Sequence, residues 1–194
     1  GKAIKHMADV PDEACVDAMA KACIDAFGGI HILINNAAIR RQQAIETMSL
    51  ADWRAVTAVI LDAAFLCARA SLPHMVAAGG GAIVNIGGIS AHFGAVDRPH
   101  VVAAKAGVIG LTKAIAVDYA ARNVRANCVV PGTMDTTRGE NAHPVAPHPG
   151  GHQALIDRLG TPEELAAAVR YLCSPDAAYV TGQTLHVNGG RYLP

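Results

Sequence analysis

The feature that most constrains this chain is a repeated alternation of short, continuously apolar runs with long helical patterns. Four runs, IHILINNAA (30–38), AIVNIGG (82–88), VRANCVVPG (124–132) and QTLHVNGG (183–190), are rich in β-branched residues and stop at Asn, Gly or Pro. Such runs, lacking an apolar/polar alternation, suit strands buried on both faces of a parallel sheet. The opening stretch KAIKHMADV (2–10) reads as a further strand. Between the runs lie four helical patterns. One starts at Pro11-Asp12-Glu13 and closes at Gly28-Gly29, and a long one opens at Ser49 to Asp52, contains Pro73 and ends at Gly79. The others are VVAAKAGVIGLTKAIAVDYAA (101–121) and GTPEELAAAVRYLCS (160–174), the latter capped at Thr161. Strands alternating with helices of this length predict an α/β fold, a doubly wound parallel sheet with helices on both faces. Ligands of such folds bind at the carboxyl ends of the strands. Here those ends are Asp9, Asn35-Asn36, Gly87-Gly88, Pro131-Gly132 and Asn188-Gly189.

A length of 194 residues suits one domain spanning the whole chain, 1–194. Aromatics are only 4% against 52% hydrophobic residues, so the core is built from Ala, Val, Ile and Leu in close contact. The 16 Lys and Arg balance the 16 Asp and Glu, which argues against nucleic acid and membrane surfaces as partners. Neither a bilayer-spanning run nor a signal-peptide apolar region is expected, and a cytoplasmic setting follows. Cys15, Cys23, Cys67, Cys128 and Cys173 are odd in number and scattered, as expected of reduced core thiols. His143, His148 and His152 lie close together, but prolines separate them and no Cys or carboxylate completes a ligand set, so no metal is expected. The Pro, Gly and His composition of 138–153 reads instead as a flexible lid over a substrate site.

The ordered series INNAA (34–38), IVNIGG (83–88), AAKAGVIGLTKAIAVDYA (103–120), VRANCVVPGTMDT (124–136) and TGQTLHVNGG (181–190) strongly resembles the short-chain dehydrogenase/reductase family, over essentially the whole chain. The resemblance implies a Rossmann-like domain, NAD or NADP as cofactor, hydride transfer to or from a small carbonyl or hydroxyl substrate, and a homodimer or homotetramer. It also implies site residues. Asp9 and Val10 stand where the family contacts the adenine; Asn35, Ala37 and Ala38 stand at the ribose; Pro131, Gly132 and Met134 at the carboxamide; Thr136 at a phosphate oxygen.

Two departures stand against this pattern. The family's opening strand, its TGxxxGxG phosphate turn and its second strand are not found, so the sheet lacks its first two strands. Either some 50 to 60 residues precede this sequence, roughly two βα units, or the gap is filled by another subunit. The second departure lies in the catalytic positions. Lys105 matches the family's lysine, but Val101 stands at the tyrosine, Gly88 at the serine and Ile60 at the asparagine. An isopropyl group cannot move a proton as a phenol does. Ser90, His92 and His100, between strand end and helix, are therefore candidate catalytic residues beside Lys105, the imidazoles being able to titrate near neutrality. Two readings remain open: a working oxidoreductase, or a catalytically lapsed scaffold kept for assembly or ligand binding.

Overall fold

The computed structural model describes residues 1–136 and 153–194. Helix α1 (Glu13–Phe27) starts where the Asp12 carboxylate accepts from the Cys15 amide and stops at Gly28, whose φ of 83° only glycine adopts without strain. Strand β1 (Ile32–Asn35) follows. Helix α2 (Leu50–Thr57), capped by Ser49, runs through a single π-helical stretch at 58–62 into α3 (Ala63–Ala77), with Pro73 inside it. Then come β2 (Gly81–Ile86), the short α4 (Ser90–Phe93), α5 (Pro99–Tyr119), β3 (Val124–Pro131), α6 (Pro162–Cys173) and β4 (Thr184–Val187). Pro99 suits the first turn of α5, where its missing N–H costs nothing. A reciprocal capping box between Thr161 and Glu164 opens α6.

The four strands form one parallel sheet in the order β1-β2-β3-β4. One face carries Ile83, Val124 and Ala126 against Ala68 and Leu72 of α3 and Ile115 of α5. Because side chains alternate along a strand, Val84, Ile86 and Val129 emerge on the other face, against Leu172 of α6. Helices on both faces make this the doubly wound, Rossmann-like α/β architecture. A polar chain also crosses the interior. Asn35 Nδ2 donates to Asn85 Oδ1 (2.8 Å), Asn85 Nδ2 donates to Thr112 Oγ1 (2.9 Å), and Thr112 Oγ1 donates to the Val108 carbonyl (2.8 Å). It ties the ends of β1 and β2 to the middle of α5.

Two expectations are corrected. Residues 1–9 form no strand, and Ile4 and Met7 are exposed. A strand needs a neighbour for its backbone groups, and residues 1–9 pair with none of the four strands. On β1, Ile32 and Ile34 are about half exposed, on the sheet face that also carries Val84. Finally, two helical stretches, Leu50–Ala77 and Pro99–Arg122, are long and apolar enough to cross a bilayer by length and composition. Here both lie against the sheet, which explains much of their apolarity. All five cysteines are free thiols. The expected lid at 138–153 lies outside the described residues except for Gln153.

The polar chain gives a test of the core. Thr112→Val keeps the shape but leaves the buried Asn85 amide without its acceptor, and urea unfolding is expected to show a loss of about 1–3 kcal/mol.

Candidate active site

The parallel register brings the carboxyl ends of β1, β2 and β3 to one side of the sheet, and two cavities open there on either side of Lys105. The first, about 150 Å³, is lined by Val10, Asn35 and Ala37 together with apolar residues of α1 and of the 58–67 region. The second, about 300 Å³, is lined by Ala38, Gly88, Ser90, Val101, Pro131, Gly132, Met134 and Thr136. Lys105 lines both. It is only 8% exposed, and its Nζ donates to the Ile86 carbonyl at 2.5 Å. This bond joins α5 to the end of β2 and fixes where the ammonium sits.

Burial makes the charged form of Lys105 costly and lowers its pKa from 10.5 to about 8, with the positive charge of Arg40 acting in the same direction. Cys128 lies near enough to counter this as a thiolate. Its own pKa, however, is pushed up to about 11 by burial, so at neutral pH it is an uncharged thiol. No carboxylate pairs with Lys105 among the described residues. The result is an amine poised to gain or lose a proton near neutral pH, as proton-transfer catalysis requires.

The other expected proton carriers are placed differently. Ser90 is buried at the start of α4 and lines the larger cavity. His100 is fully buried and lines neither cavity, and neither ring nitrogen makes a well-formed hydrogen bond. Burial lowers its pKa, an effect the Arg98 backbone partly opposes. His92 turns into a ring cluster, stacked on Tyr192 at 4.6 Å and edge-on to His186 at 4.7 Å, and burial lowers its pKa too. His186 and Tyr192 did not stand out in the sequence, because β4 and the chain end lie far from His92 along the chain. Asp9 is exposed and lines neither cavity. A larger cavity, about 720 Å³, lies between the 133–134 turn, residues 153–160 and the 186–191 segment; Met134 reaches it, but Lys105 and Ser90 do not.

The glycines at the strand ends are packed against protein. A Cβ on Gly87 would meet Cys128 Sγ and Val130 Cγ2 at 2.8 Å, and one on Gly132 would meet Asn188 Cα at 2.7 Å. They allow close packing between neighbouring strand ends and leave no open backbone cradle for a pyrophosphate. Around Lys105 the fit is better, since this lysine lines both cavities and its ammonium is a hydrogen-bond donor. The residues therefore suit the nicotinamide-ribose half of a dinucleotide, while the described residues supply no phosphate turn.

A parallel Rossmann-like sheet with two strand-end cavities beside a buried lysine places the site where folds of this architecture bind nucleotides. Residues 1–191 match the family model described as enoyl-(acyl carrier protein) reductase. The chain is 38% identical over 185 residues to a 3-oxoacyl-(acyl-carrier-protein) reductase of Vibrio cholerae, covering 95% of this chain and 76% of that protein. It is 39% identical to a cyclohexanol dehydrogenase of an Acinetobacter species, covering 97% and 74%. The crystal structure of a candidate short-chain alcohol dehydrogenase from Sinorhizobium meliloti superimposes with a TM-score of 0.85 at 29% identity, covering 95% and 74%. The chain belongs to the short-chain dehydrogenase/reductase family, whose members are NAD(P)-dependent oxidoreductases.

The lowered lysine pKa has a signed consequence for stability. Between pH 8 and 10.5 the unfolded chain holds a proton on Lys105 that the folded chain has released, so its destabilising burial is relieved as pH rises. Relative to Lys105→Met, the parent protein should gain stability over this window, by up to about 3 kcal/mol, in urea unfolding at pH 7.5, 9 and 10.

Proposed function

We propose that this chain interconverts a carbonyl and an alcohol on a small substrate bound in the 300 Å³ cavity, with NAD or NADP as hydride carrier and Lys105 as the proton-transferring group. One observation carries the reading: a lysine buried to 8% exposure, its ammonium held by the Ile86 carbonyl, in the wall of both strand-end cavities. Bound NAD(P) supplies or accepts the hydride. Asn35, Ala37 and Ala38 would border its ribose, Asp9 and Val10 its adenine, Pro131, Gly132 and Met134 its carboxamide, and Thr136 a phosphate oxygen. Lys105 would hold the ribose hydroxyls and give its proton to the substrate oxygen. The Ser90 hydroxyl, in the wall of the same cavity, would orient that oxygen in place of the family serine.

The lapsed-scaffold reading has one observation in its favour, since Val101 puts an aliphatic wall where the family has a phenol. Gly88 leaves room for a side chain, its added Cβ standing 3.4 Å from Lys105 Cγ in ordinary contact. The setting we propose is the cytoplasm, where five free thiols persist. Assembly is proposed as a homodimer or homotetramer, because Val117 on α5 and Phe65 on α3 remain 81% and 47% exposed on otherwise apolar helices.

Three outcomes are expected. Ketone reduction should decline as pH rises through about 8, where Lys105 loses its proton, and Lys105→Met should lower the rate by at least about 10²-fold. An inactive parent whose Gly88→Ser, Val101→Tyr double variant gains about 10²-fold or more would show a lapsed reductase instead. Sedimentation at micromolar concentration should show dimers or tetramers, and a monomer there would remove the assembly claim.

A further inference from the structure

Three rings from separate parts of the chain meet beside the sheet. His92 lies in α4, His186 in β4 and Tyr192 in the segment that follows β4. The His92 ring stacks on Tyr192 with centroids 4.6 Å apart, the two imidazoles stand edge-on at 4.7 Å, and Tyr192 lies 5.0 Å from His186. Tyr192 also packs on the cluster of Ile89, Cys128 and Val130. It therefore straps residues 188–192 across α4 and the end of the sheet. Within this strap Gly189 and Gly190 take φ of 63° and 79°, and the Asn188 side chain accepts from the Gly190 amide and donates to the Tyr192 carbonyl.

The imidazoles are held there only in their neutral form. His92 Nε2 and His186 Nδ1 are sealed from solvent and make no hydrogen bond. A neutral ring can leave a bare lone pair at such a nitrogen, whereas an imidazolium carries a proton on both nitrogens and would bury an N–H without an acceptor. Nor do the surrounding charges compensate. His186 shares the walls of the 720 Å³ cavity with Asp157, Arg158, Glu164 and Arg191. Asp157 accepts from Gln153, Glu164 is paired with Arg158, and Arg191 donates to Thr133 Oγ1 at 2.6 Å. From β3 the cluster meets the uncharged Cys128 thiol, and from α5 the aliphatic Ile109. On the opposite face of β4, α6 brings Leu165 and Leu172 against Leu185 and Val187. Burial holds both imidazoles below the ordinary histidine range, and at His186 repulsion from His92 adds to it.

We propose that His92, His186 and Tyr192 form an acid-opened latch: uptake of a proton by either imidazole releases the Tyr192 ring and residues 188–192 from α4. The closed form binds fewer protons than the open form, so acid favours opening below the open-form pKa of about 6.5, and above it pH has no effect. Opening reaches the strand-end site. Ser90 at the start of α4 lines the 300 Å³ cavity, and so does Thr133, to which the strap is tied through Arg191. The latch goes beyond the carbonyl–alcohol reading and does not depend on it.

Hydrogen exchange of the whole chain, without cofactor or substrate, reads the latch when followed by mass spectrometry from about pH 7.5 to 5 and corrected for the intrinsic pH dependence of amide exchange. Protection in 188–192 and in α4 is expected to stay constant above about pH 6.5 and to fall about tenfold or more per pH unit below it, while β2 and β3 keep theirs. The fall should be smaller in His186→Phe, whose ring cannot take a proton, and absent once His92→Phe is added. Protection that stays constant throughout, that falls equally in β2 and β3, or that keeps the parent slope in the double variant overturns the proposal. Should the double variant not fold, histidine NMR of the parent decides. Both rings should titrate below about 6.5 together with a shift of the Tyr192 ring signals, and titration at the ordinary value with Tyr192 unmoved overturns the latch. No turnover enters either readout, so an inactive enzyme leaves the latch standing, and an active one with constant protection defeats the latch alone.

Discussion

The parallel pairing of β2 with β3, in register from Gly81 opposite Val124 to Ile86 opposite Val129, is the constraint on which the site depends. Both strands are covered on both faces, so their backbone groups must be satisfied within the sheet and cannot slide without exposing apolar side chains. This fixes the level at which β2 ends. The Ile86 carbonyl at that end receives Lys105, and the two cavities open on either side of the bond. A one-residue slip of β2 would displace the acceptor and turn the core residues of β2 to the opposite face.

The buried polar chain from Asn35 through Asn85 to Thr112 acts alongside that register. On β3, Asn127 plays a similar part toward the C-terminal region: its side chain donates to the Val180 carbonyl and accepts from the Gln183 amide. Arg125 donates to the Leu172 carbonyl close by. Polar residues inside an otherwise aliphatic sheet are costly unless fully bonded, and here they specify which loop meets which strand. They hold β4 and α6 against β3, while α5 is held from the other side of the sheet.

The π-helical stretch at 58–62 coincides with one of the departures from the family pattern. Ile60 stands there at the position of the family asparagine, and it is buried in a cluster with Val56, Val101 and Val108. The distortion of this helix therefore carries an aliphatic side chain packed toward Val101. Val101 and Ile60 are neighbours in one apolar cluster, so two of the replaced catalytic positions have become part of the core together. Lys105 keeps its place because its aliphatic stem packs under Gly88 and its nitrogen finds a carbonyl.

Much of the fold was legible in the sequence because local patterns and caps encode it: the four apolar runs, Asp12, Ser49 and Thr161 as caps, and Gly28 as a stop. The family and its lysine were legible because ordered strand-end motifs survive over the whole chain. The failed strand at 2–10 was not, since strand formation depends on a neighbour that propensity cannot reveal. Nor was the fate of the histidines: His92 and His100 differ by eight positions in one short connection, yet one joins a ring cluster with His186 and Tyr192 and the other is sealed in the core. The sequence by itself determined which elements exist and where strand ends would gather, because periodicity and capping are local. Only the tertiary structure decided which side chains share a cavity, how far Lys105 is removed from water and which cations stand beside it, because burial and charge proximity arise from contacts between segments distant in the chain.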